Sequence, residues 1–255
     1  MRARLALIAL VVLTSGVLMG QIFSNDTFPS GTTTATIAPT LDTFISVSAP
    51  TIAQNSATRL SIQGGTTKRA LMKFGDLSDI PSGSAILAVH LRVVTEKTGT
   101  TINRLRAHRM AIDWDGNATY NTRDGSSAWT AAGAASWTAA WGSSGAYANA
   151  DSIYDPSGDV VAGQQGPFGV NYYMTAGINN HEHFMDITRM VRNWYSGEWA
   201  NYGLMLVYDD TTSTGTTQIA SLEGTSGAAP YIKVWYLPPG ASGTKRIGNG
   251  NTGVQ

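Results

Sequence analysis

The chain contains no cysteine, and this absence excludes several kinds of structure. Without thiols it can form no disulfide framework, no thiolate-bound zinc site and no acylated lipoprotein anchor. A protein of 255 residues without disulfides needs a sizeable core, and its 42% hydrophobic residues can supply one. Length alone is compatible with one large domain or two small ones.

Charge is also scarce. Charged residues make up 13% of the chain, about half the ~25% of an average soluble domain, and the formal net charge is zero. Such a chain has no field of either sign to attract nucleic acid or an anionic membrane. We therefore expect no nucleic-acid partner, and membrane contact only through the N-terminal segment if it stays uncleaved.

That segment, residues 1–23, resembles a signal peptide. Arg2 and Arg4 precede an almost unbroken apolar run over 5–19, which is somewhat short for a ~20-residue membrane span. Gly20 provides the best cleavage site, and an uncleaved N-terminal anchor is the alternative. We expect the body of the protein to be secreted, in an extracellular or cell-surface location.

Composition divides the rest of the chain. Residues 24–40 are rich in Thr and Pro and predict an extended linker, because they can bury little apolar surface. Residues 41–237 form the predicted β-sandwich domain. Residues 238–255 begin with two prolines that end the last strand, and they predict a Gly-rich C-terminal tail.

The body alternates apolar and polar residues with period two. Val89, Leu91 and Val93 alternate with His90 and Arg92, which predicts a strand with one inward and one outward face. The 28 glycines favour short strands joined by turns. We predict an all-β fold, an antiparallel β-sandwich of jelly-roll type.

One helix interrupts the strands. Ile187, Met190, Val191 and Trp194 form a single helical stripe, so we predict a helix near 187–195 that covers an open end of the sandwich. Asp186 or Thr188 is the expected cap and Gly197 the expected left-handed C-terminal residue. Trp194 lies on the stripe, so we interpret it as a core residue.

The order of motifs resembles the DNRLRE domain, a family also met as disaggregatase-related repeats and carbohydrate-binding modules. The matching segments are 42–45 (DTFI), 68–74 (KRALMKF), 76–83 (DLSDIPSG), 113–114 (DW), 118–125 (ATYNTRDG), 185–194 (MDITRMVRNW), 201–204 (NYGL), 221–224 (SLEG) and 229–230 (AP). The resemblance implies a jelly-roll-like sandwich, an extracellular location and no catalytic residues. Some family members bind acidic polysaccharide. Ala229 stands where the family often has Arg, so a salt bridge from that position to Glu223 is not expected here.

Four residues suggest a calcium loop. Asp113, Asp115 and Asn117 alternate and Asp124 follows at the twelfth position, as oxygen ligands do in an EF-hand. The sixth position is Ala118 instead of Gly, and no helix pattern flanks the segment. A structural calcium ion is therefore the only cofactor we consider, and the same residues fit the family loop without an ion.

Tryptophans mark the candidate ligand site. Trp137 and Trp141 lie in an Ala/Gly-rich insert, and exposed aromatic rings can stack on sugars. We predict that these two rings bind carbohydrate beside Lys68 or Arg123. Trp114 and Trp129 match family positions instead, and we interpret them as residues that pin a long loop to the sandwich.

Other catalytic or metal-binding patterns are weak. His181 and His183 would need a third zinc ligand that the sequence does not place, so we interpret them as exposed strand-edge histidines. The chain has no nucleophile elbow, phosphate loop or zincin motif. We expect a non-catalytic module that binds polysaccharide at the cell surface. The alternative is a structural subunit of an extracellular or virion fibre or surface assembly, held by contacts with other protein subunits.

Overall fold

The computed structural model describes residues 28–64, 68–97, 103–110, 112–129, 172–174, 180–208, 215–224 and 227–241. Within these ranges the chain forms antiparallel β structure with a single short helix, which confirms the predicted fold class. The elements are β1 (Thr33–Ile37), β2 (Pro39–Ser46), β3 (Arg59–Gln63), β4 (Lys68–Phe74), β5 (Ala85–Lys97), β6 (Asn103–Arg109), β7 (Tyr172–Met174), β8 (His181–Asp186), α1 (Thr188–Ser196), β9 (Leu204–Tyr208), β10 (Thr216–Ala220) and β11 (Tyr231–Leu237).

The strands form one continuous sheet that curls into two facing layers. The first layer has the order β1-β11-β5-β8, and the second has the order β2-β4-β9-β6-β7. β10 and β3 join the layers, because β10 pairs with the C-terminal part of β5 and also with β3. The main core lies between the layers, where Leu91 of β5 and Met72 of β4 belong to one buried cluster.

The predicted alternation in β5 is confirmed. Val89, Leu91 and Val93 are fully buried, and the register sets Val234 opposite Val89 and Ile232 opposite Leu91. These side chains face the core because alternate residues of a strand point to the same side. The residues between them therefore lie on the outside of the first layer.

Helix α1 closes one end of the sandwich, as predicted. Met190, Val191 and Trp194 are buried, and Gly197 ends the helix with φ 76°. The residue at the cap position is Ile187, which has no side-chain capping bond, although Asp186 accepts a hydrogen bond from the Thr188 amide. Trp194 is 6% exposed and packs against Phe74, so its interpretation as a core residue is confirmed.

The segment 112–129 covers the outer side of the second layer. Trp114 and Trp129 are 2% and 1% exposed and form a second buried cluster with Leu71 of β4 and Met205 of β9. Each indole is also fixed by a hydrogen bond: Trp114 Nε1 donates to Tyr202 O and Trp129 Nε1 to the Thr119 carbonyl, both at 2.8 Å. Both tryptophans therefore pin this loop, as the sequence predicts.

The predicted linker differs from the structure in its second half. Residues 33–37 form β1, which pairs with β11 and directs Ala35 and Ile37 toward the main core. This Thr-rich strand therefore packs at the edge of the sheet with only two apolar residues, Ala35 and Ile37, facing the core. The predicted export segment and residues 242–255 of the predicted tail lie outside the described residues. Among the described helices, none has the length and apolarity to cross a membrane.

Candidate functional site

The outward side of the first layer carries rows of aromatic and polar side chains. Residues opposite one another in paired strands point to the same side of a sheet, so the registers of β1, β11, β5 and β8 fix these rows. The first row is Thr34, Trp235 and Ala88; the second is Thr36, Lys233, His90 and Asp186; the third is Tyr231, Arg92 and Phe184. We call this set of residues the outer face.

Trp235 is the central aromatic residue of the outer face. Its side chain is part-exposed, and the small residue Ala88 stands opposite it on β5. Phe28 stacks on the indole with ring centroids 5.8 Å apart and an interplanar angle of 18°. His90 approaches the same indole edge-on at 4.9 Å. These contacts hold the ring in place, and Phe28 covers part of one indole face.

Two cations flank the aromatic rings. Lys233 Nζ lies 5.2 Å from the centre of the Trp235 ring, and the Arg92 guanidinium lies 5.1 Å from the centre of the Tyr231 ring. Arg92 is only 8% exposed because it forms an ion pair with Glu182 and donates to the Ala229 carbonyl at 3.1 Å. Arg92 therefore fixes Tyr231, whereas the part-exposed Lys233 lies beside Trp235 at the surface.

This arrangement suits a flat, hydroxyl-rich ligand. A pyranose ring has apolar faces that stack on an indole and a rim of hydroxyl groups that hydrogen-bond to polar side chains. The outer face presents the part of the Trp235 ring that Phe28 leaves exposed, with Thr34, Thr36 and Lys233 beside it for hydrogen bonding. Because these residues lie on paired strands, a ligand meets a surface that is already ordered and loses little free energy to ordering it.

The structure describes two of the four predicted carbohydrate-binding residues, so this prediction stays open. Trp137 and Trp141 lie outside the described residues. Lys68 is at the start of β4, on the side of the sheet that carries Ala70 and Met72. Arg123 is on the opposite side, in the loop over the second layer, where Nη1 lies 3.3 Å from the Asp113 carbonyl. Lys68 and Arg123 are therefore separated by the sheet.

The residues of the calcium hypothesis lie in one loop, but their oxygens have local partners. Asp113 accepts hydrogen bonds from Lys73 and from the Trp114 amide, and Asp115 accepts one from the Asn117 amide at 2.7 Å. Asp124 accepts bonds from the amides of residues 126 and 127, and these bonds hold its pKa far below the ordinary value. In the described chain no three His, Asp or Glu side chains cluster closely enough to hold a metal. The calcium hypothesis for this loop stays a prediction.

The expectation for the histidine pair is wrong for one member. His183 is 3% exposed because it points inward from β8, and its Nε2 lies 3.2 Å from Thr95 Oγ1. The His181 ring packs edge-on against it at 4.8 Å. Burial, and to a smaller extent the charge of His181, lowers the pKa of His183 to about 4. His183 is therefore a neutral core residue at physiological pH.

A shallow groove lies at the end of the sandwich that α1 covers. It has a volume of about 410 Å³ and is lined by residues of the turn 76–83 together with Trp194 and Tyr195. Its polar groups have partners already: the Tyr195 hydroxyl contacts the Pro81 carbonyl and the Ser84 amide, and Asp76 accepts from the Ser78 amide. Trp194 is 6% exposed here, so it offers little ring surface to a ligand.

A scan against protein-family models matches no family, and a search of curated proteins finds no match. The resemblance to the DNRLRE domain therefore stays a prediction.

The outer face is not among the sites predicted from the sequence, although the sequence contains a pattern that indicates it. Ile232, Val234 and Tyr236 predict the inward side of β11, and the same alternation implies that Tyr231, Lys233 and Trp235 point outward.

Proposed function

We propose that the chain is an exported, non-catalytic β-sandwich module that binds polysaccharide at the cell surface through the outer face. The observation that carries this proposal is the part-exposed indole of Trp235, held on a paired strand beside Ala88 and flanked by Lys233 and His90. The proposal keeps Trp137 and Trp141, which lie outside the described residues, as further stacking rings. The basic N-terminal residues and the apolar run after them support export.

Affinity electrophoresis against a panel of neutral and acidic polysaccharides tests the proposal. Wild-type protein should be retarded in at least one gel, and Trp235→Ala should lose about thirtyfold in affinity, the usual effect of removing a central aromatic anchor. Lys68→Ala is the matched control, because Lys68 lies on the other layer, and it should bind as the wild type does. Equal retention of wild type and Trp235→Ala would place the site elsewhere.

A second function has one observation in its favour. Phe28, a side chain of the protein itself, already stacks on Trp235, so the indole accepts an aromatic residue as well as it would a sugar. In this alternative the outer face binds an aromatic side chain of another subunit in a surface assembly. Sedimentation velocity separates the two functions: a monomer retained by polysaccharide supports the first, and an assembly that Trp235→Ala dissociates, with no retention on any gel, supports the second.

A further inference from the structure

Asp42 of β2 is a buried carboxyl group with one oxygen that no described residue satisfies. The residue is 1% exposed, and its Oδ2 accepts a hydrogen bond from the Leu222 amide at 2.9 Å. Its Oδ1 has no hydrogen-bond partner among the described residues. Removing a carboxylate oxygen from water without replacing its partners is costly, so buried carboxylates are normally paired or bound to a metal.

The nearest charged group has the same sign. Glu223 is exposed and follows Leu222 in the chain, so the hydrogen bond from the Leu222 amide brings the turn that carries Glu223 against Asp42. Burial is the main cause, and the Glu223 charge a smaller one, of a rise in the pKa of Asp42 to about 7. No described Lys, Arg or His forms an ion pair with either residue. Among the described residues, no cation therefore compensates the two carboxyl groups.

The turn that carries Glu223 contacts the segment just before β3. The Gly224 amide donates to the Ser221 carbonyl, and Ser221 Oγ donates to the Ala57 carbonyl at 2.6 Å. A Cβ atom on Gly224 would lie 2.7 Å from the Thr58 carbonyl oxygen and 3.1 Å from the Ser221 carbonyl oxygen. Gly224 therefore permits a close approach of this turn to the backbone of Thr58.

We propose that Asp42 and Glu223 bind a divalent cation of the Ca²⁺ type at this edge of the sandwich. Carboxylate and carbonyl oxygens are hard ligands that favour Ca²⁺ over transition metals, and no His or Cys takes part. With only two carboxylates, backbone oxygens and water complete the coordination, and the exposed Glu223 provides the entry path. The ion ties β2 to the turn after β10, 180 residues away in sequence. The two carboxyl groups do not suit the hydrolysis of a polysaccharide, because the buried Asp42 cannot contact a polymeric substrate.

This site is separate from the outer face and from the loop over 113–124, so its test is independent of both. Full-length protein is dialysed against EDTA and then titrated with CaCl₂, with thermal unfolding and calorimetry as readouts. One millimolar Ca²⁺ should raise the Tm by about 5 °C or more, and calorimetry should give one site per chain. Asp42→Asn and Glu223→Gln should each weaken Ca²⁺ binding at least tenfold and lose the rise in Tm.

Both variants are expected to fold. Asp42→Asn keeps the shape of the side chain and removes a buried charge, and Glu223 is exposed; circular dichroism of the ion-free proteins checks this. Asp79→Asn, in the exposed turn between β4 and β5, is the matched control and should respond to Ca²⁺ as the wild type does. The absence of any heat or Tm rise with CaCl₂ would overturn the proposal and favour a proton shared by the two carboxyls. A response that persists in either carboxylate variant, or that Asp79→Asn abolishes, would also overturn it.

Discussion

Replacing Trp129 by Ala tests whether the tryptophans of the chain divide into structural and ligand-binding residues. Trp129 is 1% exposed in the cluster beneath the loop, and its Nε1 donates to the Thr119 carbonyl. Truncating a fully buried Trp typically costs 3–5 kcal/mol, and the loss of its hydrogen bond leaves a buried carbonyl without a donor. We expect about 4 kcal/mol less free energy of unfolding, or a Tm lower by roughly 8–16 °C.

Urea denaturation followed by circular dichroism gives this difference, and Trp235→Ala is the matched comparison. Trp235 is part-exposed on the outer face, so its removal should cost less than about 2 kcal/mol. A loss below about 1 kcal/mol for Trp129→Ala would refute the conclusion that this residue anchors the loop. A larger loss for Trp235→Ala than for Trp129→Ala would show that Trp235 serves the core of the sandwich.

Two further predictions concern stability. The pKa of His183, about 4 in the folded protein against about 6.5 unfolded, means that the unfolded chain binds more protons between these values. The contribution of His183 to the free energy of unfolding should therefore fall by roughly 3 kcal/mol as the pH drops from 6.5 to 4. Because the raised pKa of Asp42 acts in the opposite direction over this range, the difference between wild type and His183→Gln in urea denaturation isolates the part that His183 contributes. Gly203→Ala should lower the free energy of unfolding by more than about 3 kcal/mol in the same assay. The residue has a φ of 80°, and a Cβ atom there would lie 2.1 Å from the Met72 carbonyl oxygen. Gly197 has a similar φ, but a Cβ atom there would meet no atom within 4 Å, so Gly197→Ala should lower the free energy of unfolding by only about 1 kcal/mol. Equal losses for the two variants would contradict the conclusion that the contact with Met72 makes Gly203 necessary.

The fold was predictable where local periodicity reflects burial. The alternation around Leu91 predicts a two-faced strand, and the stripe that ends at Trp194 predicts α1, because both patterns depend only on residues near in sequence. β1 was not predicted, since its Thr-rich segment has only Ala35 and Ile37 to bury. Its place depends on pairing with β11, which lies at the other end of the domain.

The candidate sites were less predictable for the same physical reason. Trp235 stands opposite Ala88 only because of the register between β11 and β5, which is set by the whole sheet. Asp42 meets Leu222 and Glu223 through a contact between distant parts of the chain. No local pattern in the sequence encodes either arrangement, although the outward position of Trp235 on its own strand could have been inferred from the alternation in β11.

The indole N–H signals of the protein in a ¹⁵N-correlation spectrum test the ligand site most directly. The chain has seven tryptophans, and single Trp→Phe variants assign their signals. On titration with an oligosaccharide of the retained polymer, the Trp235 signal and amides of β11 and β5 should shift in a saturable way. The buried indoles of Trp129 and Trp194 should not move. Shifts confined to Trp137 or Trp141, with Trp235 unmoved, would contradict binding at the outer face and place the ligand in the insert.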